Sequence, residues 1–285
     1  MTGGILHPLK RVNTMSPRAL RQAATEFPKG SVSVQWLSEF VRSHGGQLAH
    51  KTTAEVSEQH LKPNTKAKQC AYIRLAEERT ADGHPSVGIA TFFVSHAWQY
   101  KFLDLAEVII EWGQTVPTPT YVWLDIFSVN QHAPEQPPEW WDSTFRTAVG
   151  ELGHTLLVLA PWDKPVALSR VWCLWEILCT IDEGADLTVL LPSNEKRRLT
   201  EELAKDLDQV AITVADVDAE RAEAFKAEDK KRIFEAIQRV LPKGFLDLNE
   251  KVKERLRQWT FYAGEEVGRT PIFLSHPGVN HVFTV

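Results

Sequence analysis

The stretch IATFFVSHAWQYKFLDLAEVIIEW, residues 89–112, places a short apolar run directly before a helical pattern. The run IATFFVS (89–95) has the length of a strand and carries no charge. In YKFLDLAEVIIEW (100–112), the apolar residues recur at the spacing of one helix face. A nearly continuous apolar strand needs cover on both faces of its sheet. The stretch therefore predicts one strand–helix unit of a parallel α/β sheet.

The same pattern recurs further along the chain. Three more apolar runs of strand length follow: TYVWLDI (120–126), TLLVLAP (155–161) and DLTVLLP (186–192). The segments between these runs have helical spacing, and strands that alternate with helices favour a doubly wound parallel sheet. We therefore expect an α/β domain over residues 89–215, with QVAITVA (209–215) as a fifth strand.

Two flanking segments differ from this pattern. Residues 1–88 are polar and predict a mostly helical N-terminal extension. Residues 216–285 predict a helical C-terminal extension with two amphipathic helices, over 218–241 and 249–263. After these helices, IFLSH (272–276) resembles FFVSH in the first strand, so we expect a strand-like tail there.

The composition restricts the classes of function. The chain has 285 residues, 43% of them hydrophobic and 24% charged, with a net charge of −5. These values are typical of a globular protein and indicate neither a nucleic-acid surface nor a membrane segment. We expect a cytoplasmic protein, because the first residues lack the pattern of a secretory signal. The three cysteines, Cys70, Cys173 and Cys179, and the scattered histidines predict neither a disulfide framework nor a metal site.

Polar and aromatic residues gather where the predicted strands end. Ligands of open parallel sheets bind outside the carboxyl ends of the strands, so residues at these ends are candidates for a small-molecule pocket. Following three strands in turn, the candidates are Ser95, His96 and Trp98, then Asp125 and Asn130, then Trp162. Structural roles are open alternatives: a backbone hydrogen bond for His96, a helix cap for Asp125 and core packing for the tryptophans.

One glutamate interrupts the apolar helix SRVWCLWEIL, residues 169–178. The apolar stripe of this helix consists of Leu174, Ile177, Leu178 and Ile181. Glu176 projects away from that stripe, and Trp172 lies one turn earlier on the same side. Most such glutamates are solvated, but a large aromatic residue beside one indicates a packing partner or a ligand. No glycine-rich phosphate-binding motif follows any strand, so a nucleotide would be held in another way.

Four of these segments resemble a known family. In order and spacing, the chain over about 90–195 is similar to the successive boxes of a TIR (Toll/interleukin-1 receptor) domain: FFVSHAW (92–98), VWLDIFSVNQ (122–131), LLVLAPW (156–162) and RVWCLWEIL (170–178). The resemblance implies a flavodoxin-like fold. In TIR enzymes that cleave NAD, the catalytic glutamate follows a tryptophan by four positions, as Glu176 follows Trp172. Unlike many TIR domains, the chain has no glycine or proline after Asp125 until Pro134.

The resemblance implies an NAD glycohydrolase of the TIR type. Glu176 would be the catalytic residue, and NAD would be the substrate rather than a cofactor. The implied substrate-binding residues are Ser95, His96, Trp98, Asp125, Asn130, Trp162 and Trp172. The products would be nicotinamide with ADP-ribose, cyclic ADP-ribose or both, and the protein would self-associate through TIR-like surfaces.

Two other functions are compatible with the sequence. The first is a non-catalytic TIR-like module for interaction and signalling, although such a module has no need of a glutamate at position 176. The second is an enzyme similar to nucleoside deoxyribosyltransferases, which also combine this fold class with a catalytic glutamate.

Overall fold

The computed structural model describes residues 26–77, 79–132, 140–266 and 268. The predicted strand-like tail at 272–276 lies outside the described residues. Among the residues described, every helix is too short or too polar to cross a lipid bilayer.

The strands of the structure form a six-stranded sheet and a small two-stranded ribbon. The strands are β1 (Gly30–Ser33), β2 (Thr80–Ala81), β3 (His84–Pro85), β4 (Val87–Ile89), β5 (Phe92–Ser95), β6 (Tyr121–Trp123), β7 (His154–Val158) and β8 (Asp186–Leu190). The order across the large sheet is β4–β1–β6–β5–β7–β8, and β2 pairs with β3. From β6 to β8 all neighbours are parallel, which confirms the predicted parallel α/β sheet.

The sheet also includes two strands, β1 and β4, that begin before residue 89. β1 pairs antiparallel with both β4 and β6, so the sheet extends into the segment predicted as a helical extension. The sequence signal is weak because β1 has only four residues and its serines are buried. Ser31 hydrogen-bonds the carbonyl of Gly88 at 3.0 Å, which satisfies a polar group that water would otherwise solvate.

Helices cover the sheet, and four of those described follow its last strand along the chain. They are α1 (Val34–Leu48), α2 (residues 53–65, comprising Thr53–Val56, the π-helical Ser57–Leu61 and Lys62–Thr65), α3 (Phe102–Gly113), α4 (Asp125–Ser128), α5 (residues 141–152, comprising the π-helical Trp141–Phe145 and Arg146–Leu152), α6 (Val171–Asp182), α7 (Ser193–Leu203), α8 (Leu207–Val214), α9 (Ala227–Val240) and α10 (Phe245–Glu266). Single 3₁₀ turns occupy Tyr72–Leu75, Val166–Ser169 and Ala219–Arg221.

The strand order determines which helices cover each face. The chain runs from β5 through α3 to β6 on one side, and from β7 through α6 to β8 on the other. Right-handed crossovers in opposite directions place α3 and α6 on opposite faces of the sheet. The packing agrees, because α3 contacts α1 whereas α6 contacts α5. The two helices predicted in the C-terminal extension are α9 and α10, and both contact α6.

The prediction of a fifth strand at 209–215 was wrong, because this segment forms α8. Asp206 caps the helix by accepting a hydrogen bond from the backbone N–H of Gln209 at 2.9 Å. Val210 and Val214, one turn apart, are buried on the side that faces α10. Helix capping and this contact outweigh the strand preference of the β-branched residues.

The packing of α1 on α3 gives a prediction for stability. Gly113 lies where α3 meets α1, and a Cβ atom at this position would overlap Cγ1 of Val34. We expect Gly113→Ala to lower the free energy of unfolding by about 1–3 kcal/mol, measured by urea denaturation, because over-packing displaces the helices.

The control is a second helical glycine. A Cβ atom at Gly45 in α1 would meet no atom within 4 Å. Gly45→Ala should therefore leave the protein equally stable or raise the free energy of unfolding by up to about 1 kcal/mol. Equal effects of the two substitutions would contradict the close packing of α1 on α3.

Candidate functional site

Helix α6 is buried on almost every side. It contacts β5, β7 and β8 as well as α5, α9 and α10. The buried surface is wider than the predicted apolar stripe, because Trp175 is fully buried and Cys173 and Cys179 are buried too. Trp172 and Glu176 remain half-buried, one helical turn apart. Their one-turn spacing places both side chains on the same side of the helix, as expected.

The carboxylate of Glu176 is bound to the end of β5. Ser95, the last residue of β5, is fully buried, and its hydroxyl donates a hydrogen bond of 2.5 Å to Oε2 of Glu176. This distance is typical of a hydroxyl bound to a carboxylate. Among the described residues, Oε1 of Glu176 has no hydrogen bond and is not a buried atom. One oxygen is thus held by the protein, and the other can meet a ligand.

The surroundings of Glu176 favour the protonated acid. Burial raises the pKa of Glu176 well above its ordinary value, and the negative charge of Asp125 raises it further. The hydrogen bond from Ser95 opposes both effects by stabilising the carboxylate. Perturbed carboxyl groups of this kind are typical of functional sites, although structural networks also contain them.

A second set of polar contacts surrounds Asp125, which lies shortly after β6. The indole N–H of Trp98 donates a hydrogen bond of 2.7 Å to Oδ2 of Asp125, and Oδ1 accepts one of 2.7 Å from the backbone N–H of Ile126. Nε2 of His96 lies 3.9 Å from Oδ1, beyond hydrogen-bond distance, and this buried atom has no partner among the described residues. Burial lowers the pKa of His96, which favours a neutral imidazole. Asp125 therefore has a structural role in addition to any ligand contact.

Cys173 is close to both groups of residues, although it was not among the predicted site residues. Its thiol donates a weak hydrogen bond of 3.4 Å to the carbonyl of His96. Burial raises the pKa of Cys173, and nearby Glu176 adds to this effect. Because reactive cysteines require a thiolate, Cys173 is a packing residue of this site rather than a nucleophile.

The C-terminal extension contributes directly to the site. The indole N–H of Trp172 lies 3.3 Å from Oδ2 of Asp229, in the first turn of α9. Just before α9, the backbone of Glu223 accepts a hydrogen bond from Val171 at 3.1 Å and donates one to Ser169 at 2.8 Å. Sequence reasoning missed Asp229 because no local pattern reveals a contact between residues 57 positions apart.

Two predicted site residues bind other parts of the chain. The amide of Asn130 donates to the carbonyl of Gln69 at 2.8 Å and accepts from the backbone of His132 at 3.0 Å. Trp162 is buried, and its backbone N–H donates to Oε2 of Glu195 at 3.0 Å. The contacts thus connect Ser95, His96, Trp98, Asp125 and Trp172 to Glu176 or its neighbours, and they do not bring Asn130 or Trp162 to this cluster.

The cluster is a set of hydrogen-bonding groups centred on one carboxylate. The Ser95 hydroxyl donates to Glu176 and so fixes the position of that carboxylate. In the part of the chain that the structure describes, no group of three His, Cys, Asp or Glu side chains is placed to hold a metal ion. The chemically distinctive group is the partly exposed carboxylate of Glu176.

Comparisons of the chain with protein-family models, with curated proteins and with solved structures found no match in any of the three. The geometry around Glu176 and the resemblance of the four sequence segments are therefore the grounds for assigning a function.

The raised pKa of Glu176 predicts a gain in stability on neutralisation. A carboxyl whose pKa is higher in the folded than in the unfolded state opposes folding above the folded pKa, and this cost disappears below the unfolded pKa. We expect Glu176→Gln to raise the free energy of unfolding by about 1 kcal/mol at pH 8, with the gain shrinking towards pH 4. Urea denaturation at several pH values measures this difference.

Glu107→Gln is the matched control, because Glu107 is exposed on α3. This substitution should leave the free energy of unfolding unchanged at every pH from 4 to 8. A lower stability of Glu176→Gln at pH 8 would show that the carboxylate of Glu176 stabilises the fold.

Proposed function

We propose that this protein is an NAD glycohydrolase that cleaves the bond between nicotinamide and ribose, with Glu176 as the catalytic residue. The observation that carries the proposal is the carboxylate of Glu176 at the end of β5, where Ser95 holds Oε2 and leaves Oε1 for a ligand. The spacing of Trp172 and Glu176, which matches the TIR enzymes that cleave NAD, supports the same assignment.

The strand order supports a flavodoxin-like fold as part of the proposal. Taken in chain order, the parallel strands β5, β6, β7 and β8 lie in the order second, first, third, fourth. Flavodoxin-like sheets have this order and bind their ligands where it reverses, at the ends of the first and third strands. Ser95 ends the first of these strands, so the Ser95–Glu176 pair lies at the edge where this fold class binds ligands.

A hydrogen-bond acceptor such as the carboxylate of Glu176 suits the cleavage of NAD. When the bond from the ribose carbon to the nicotinamide nitrogen breaks, the electron pair stays with nitrogen and the cationic pyridinium leaves as neutral nicotinamide. No acid is needed, and positive charge develops on the ribose. A carboxylate that accepts hydrogen bonds from the ribose hydroxyls binds this state more strongly than the ground state. Oε1 of Glu176 would accept these bonds while Ser95 fixes the position of Oε2.

The nucleophile that completes the reaction determines the product. Attack by water gives ADP-ribose, whereas attack by a nitrogen of the adenine ring of the same molecule gives cyclic ADP-ribose. Exclusion of water by the half-buried Trp98 and Trp172 would favour the cyclic product. Asp125, held by Trp98, would provide polar contacts to the same substrate.

The proposal extends to the assembly, the biological role and the location of the enzyme. By resemblance to TIR enzymes, we propose self-association through TIR-like surfaces, a role in signalling and a cytoplasmic location. Asn130 and Trp162 have weaker support as substrate-binding residues, because their hydrogen bonds join them to Gln69 and Glu195 rather than to the residues around Glu176.

The central test is release of nicotinamide from NAD by the purified protein. Removing one transition-state interaction typically lowers kcat by about 10²–10³, and we expect a loss of this size or larger for Glu176→Gln. Glu107→Gln, the exposed control, should retain full activity.

Three results would overturn the proposal. Equal activity of Glu176→Gln and the wild type would remove Glu176 from the mechanism. No release of nicotinamide at high protein concentration would favour the non-catalytic interaction module. Cleavage of deoxynucleosides, but not of NAD, in a parallel assay would favour the deoxyribosyltransferase-like enzyme.

The pH profile gives an independent prediction. Because ribose hydroxyls bind the carboxylate rather than the acid, activity should fall as pH decreases through the raised pKa of Glu176. Ser95→Ala removes a hydrogen bond that lowers this pKa, so the acidic limb of kcat should move to higher pH. An acidic limb that Ser95→Ala leaves in place, or moves to lower pH, would contradict this role for the hydrogen bond.

A further inference from the structure

A polar cleft of about 500 Å³ lies away from Glu176, between α1, α2 and the 3₁₀ turn Tyr72–Leu75. Its size falls within the range of small-molecule sites, about 300–1,000 Å³. Its lining includes neither Glu176 nor Ser95. Nothing in the proposed NAD chemistry uses this cleft.

Aromatic rings form the deeper wall of the cleft. Phe40 and Trp36 are buried with their ring centroids 5.1 Å apart, and Tyr72 packs edge-on against Phe40 at 5.8 Å. Tyr72 remains half-buried and lines the cleft. Such a wall suits a flat ring, because aromatic surfaces stack on the faces of heterocycles.

Two histidines continue this wall. His44 stacks on Phe40 at 4.6 Å, and its ring centroid lies 5.0 Å from that of His60. Nδ1 of His44 lies 3.0 Å from the carbonyl of Phe40, so in the neutral imidazole Nδ1 carries the proton and Nε2 is an acceptor. Nε2 of His60 is buried and has no hydrogen-bond partner among the described residues. Buried unsatisfied atoms are uncommon, so this nitrogen of a cleft-lining residue is a candidate hydrogen-bonding group for a ligand.

The lining of the cleft also includes one positively charged and one negatively charged side chain, Arg79 and Glu39. Arg79 is exposed, and backbone hydrogen bonds to Ala76 and from Ser86 fix its main chain. Its charge acts on the hydroxyl of Tyr72, whose pKa burial raises, so that Tyr72 is a hydrogen-bond donor beside a cation. Glu39, half-buried on α1, provides an acceptor in the same cleft.

From this arrangement we propose that the cleft is a binding site for a nucleoside monophosphate. The base lies against the wall of Tyr72 and the histidines, and its amino group donates to Glu39. The phosphate binds Arg79 and the hydroxyl of Tyr72, because a guanidinium and a hydroxyl are suited to phosphate oxygens. This site is separate from the proposed catalytic site, so it would serve regulation rather than catalysis.

Isothermal titration of the 285-residue chain with AMP tests the proposal. We expect saturable binding that Arg79→Ala weakens by at least tenfold and Tyr72→Phe by a smaller factor. The matched control is Arg74→Ala, because Arg74 is exposed on the 3₁₀ turn, pairs with Glu77 and does not line the cleft.

Titrations with adenosine and with inorganic phosphate test which parts of AMP are bound. A variant at Glu176 tests whether the cleft binds independently of the proposed catalytic site. Adenosine should bind more weakly than AMP and should be insensitive to Arg79→Ala, and inorganic phosphate alone should bind more weakly still. Glu176→Gln should bind AMP as the wild type does, whether or not the protein cleaves NAD. The proposal is overturned by an absence of saturable AMP binding, by equal effects of Arg79→Ala and Arg74→Ala, by inorganic phosphate binding as tightly as AMP, or by loss of AMP binding in Glu176→Gln.

Discussion

The hydrogen bond between Ser95 and Glu176 joins the first parallel strand to α6, a helix that is buried on almost every side. A carboxylate near the core is costly unless polar groups compensate for its lost hydration. Ser95 provides that compensation at 2.5 Å, and it can do so because β5 ends where α6 crosses it. The position of α6 is thus constrained by packing on nearly all sides and by one polar contact at the edge of the sheet. Oε1 of Glu176 is left without a protein partner among the described residues.

The same helix is fixed by further polar contacts, which keep the carboxylate on a rigid support. The hydroxyl of Thr180 donates to the carbonyl of Glu176 at 2.8 Å and lies 2.8 Å from the hydroxyl of Thr155 in β7. On the other side, α9 meets Trp172 through Asp229. Rigid supports of this kind favour precise placement of a functional group. The C-terminal extension therefore supports the site, because it packs on the helix that carries Glu176.

The sequence predicted those features that depend on local periodicity and failed where distant contacts decide. The parallel strands were predictable from their apolar runs, and Ser95 and Glu176 from the rule for strand ends and from helical spacing. Strand β1 was not predictable, because it has only four residues and its serines are typical of a loop. The strand prediction at 209–215 failed because Asp206 and the contact with α10 favour a helix. The cleft on α1 was unpredictable, since it combines segments that share no motif.

A crystal structure of the protein with a non-cleavable NAD analogue tests the central claim most directly. We predict that a hydroxyl of the nicotinamide ribose lies at hydrogen-bond distance, about 2.7 Å, from Oε1 of Glu176, while Ser95 still binds Oε2. The nicotinamide would lie beside Trp172 or Trp98. An analogue bound elsewhere on the protein, with Glu176 contacting only protein atoms, would contradict the claim that this carboxylate binds the ribose.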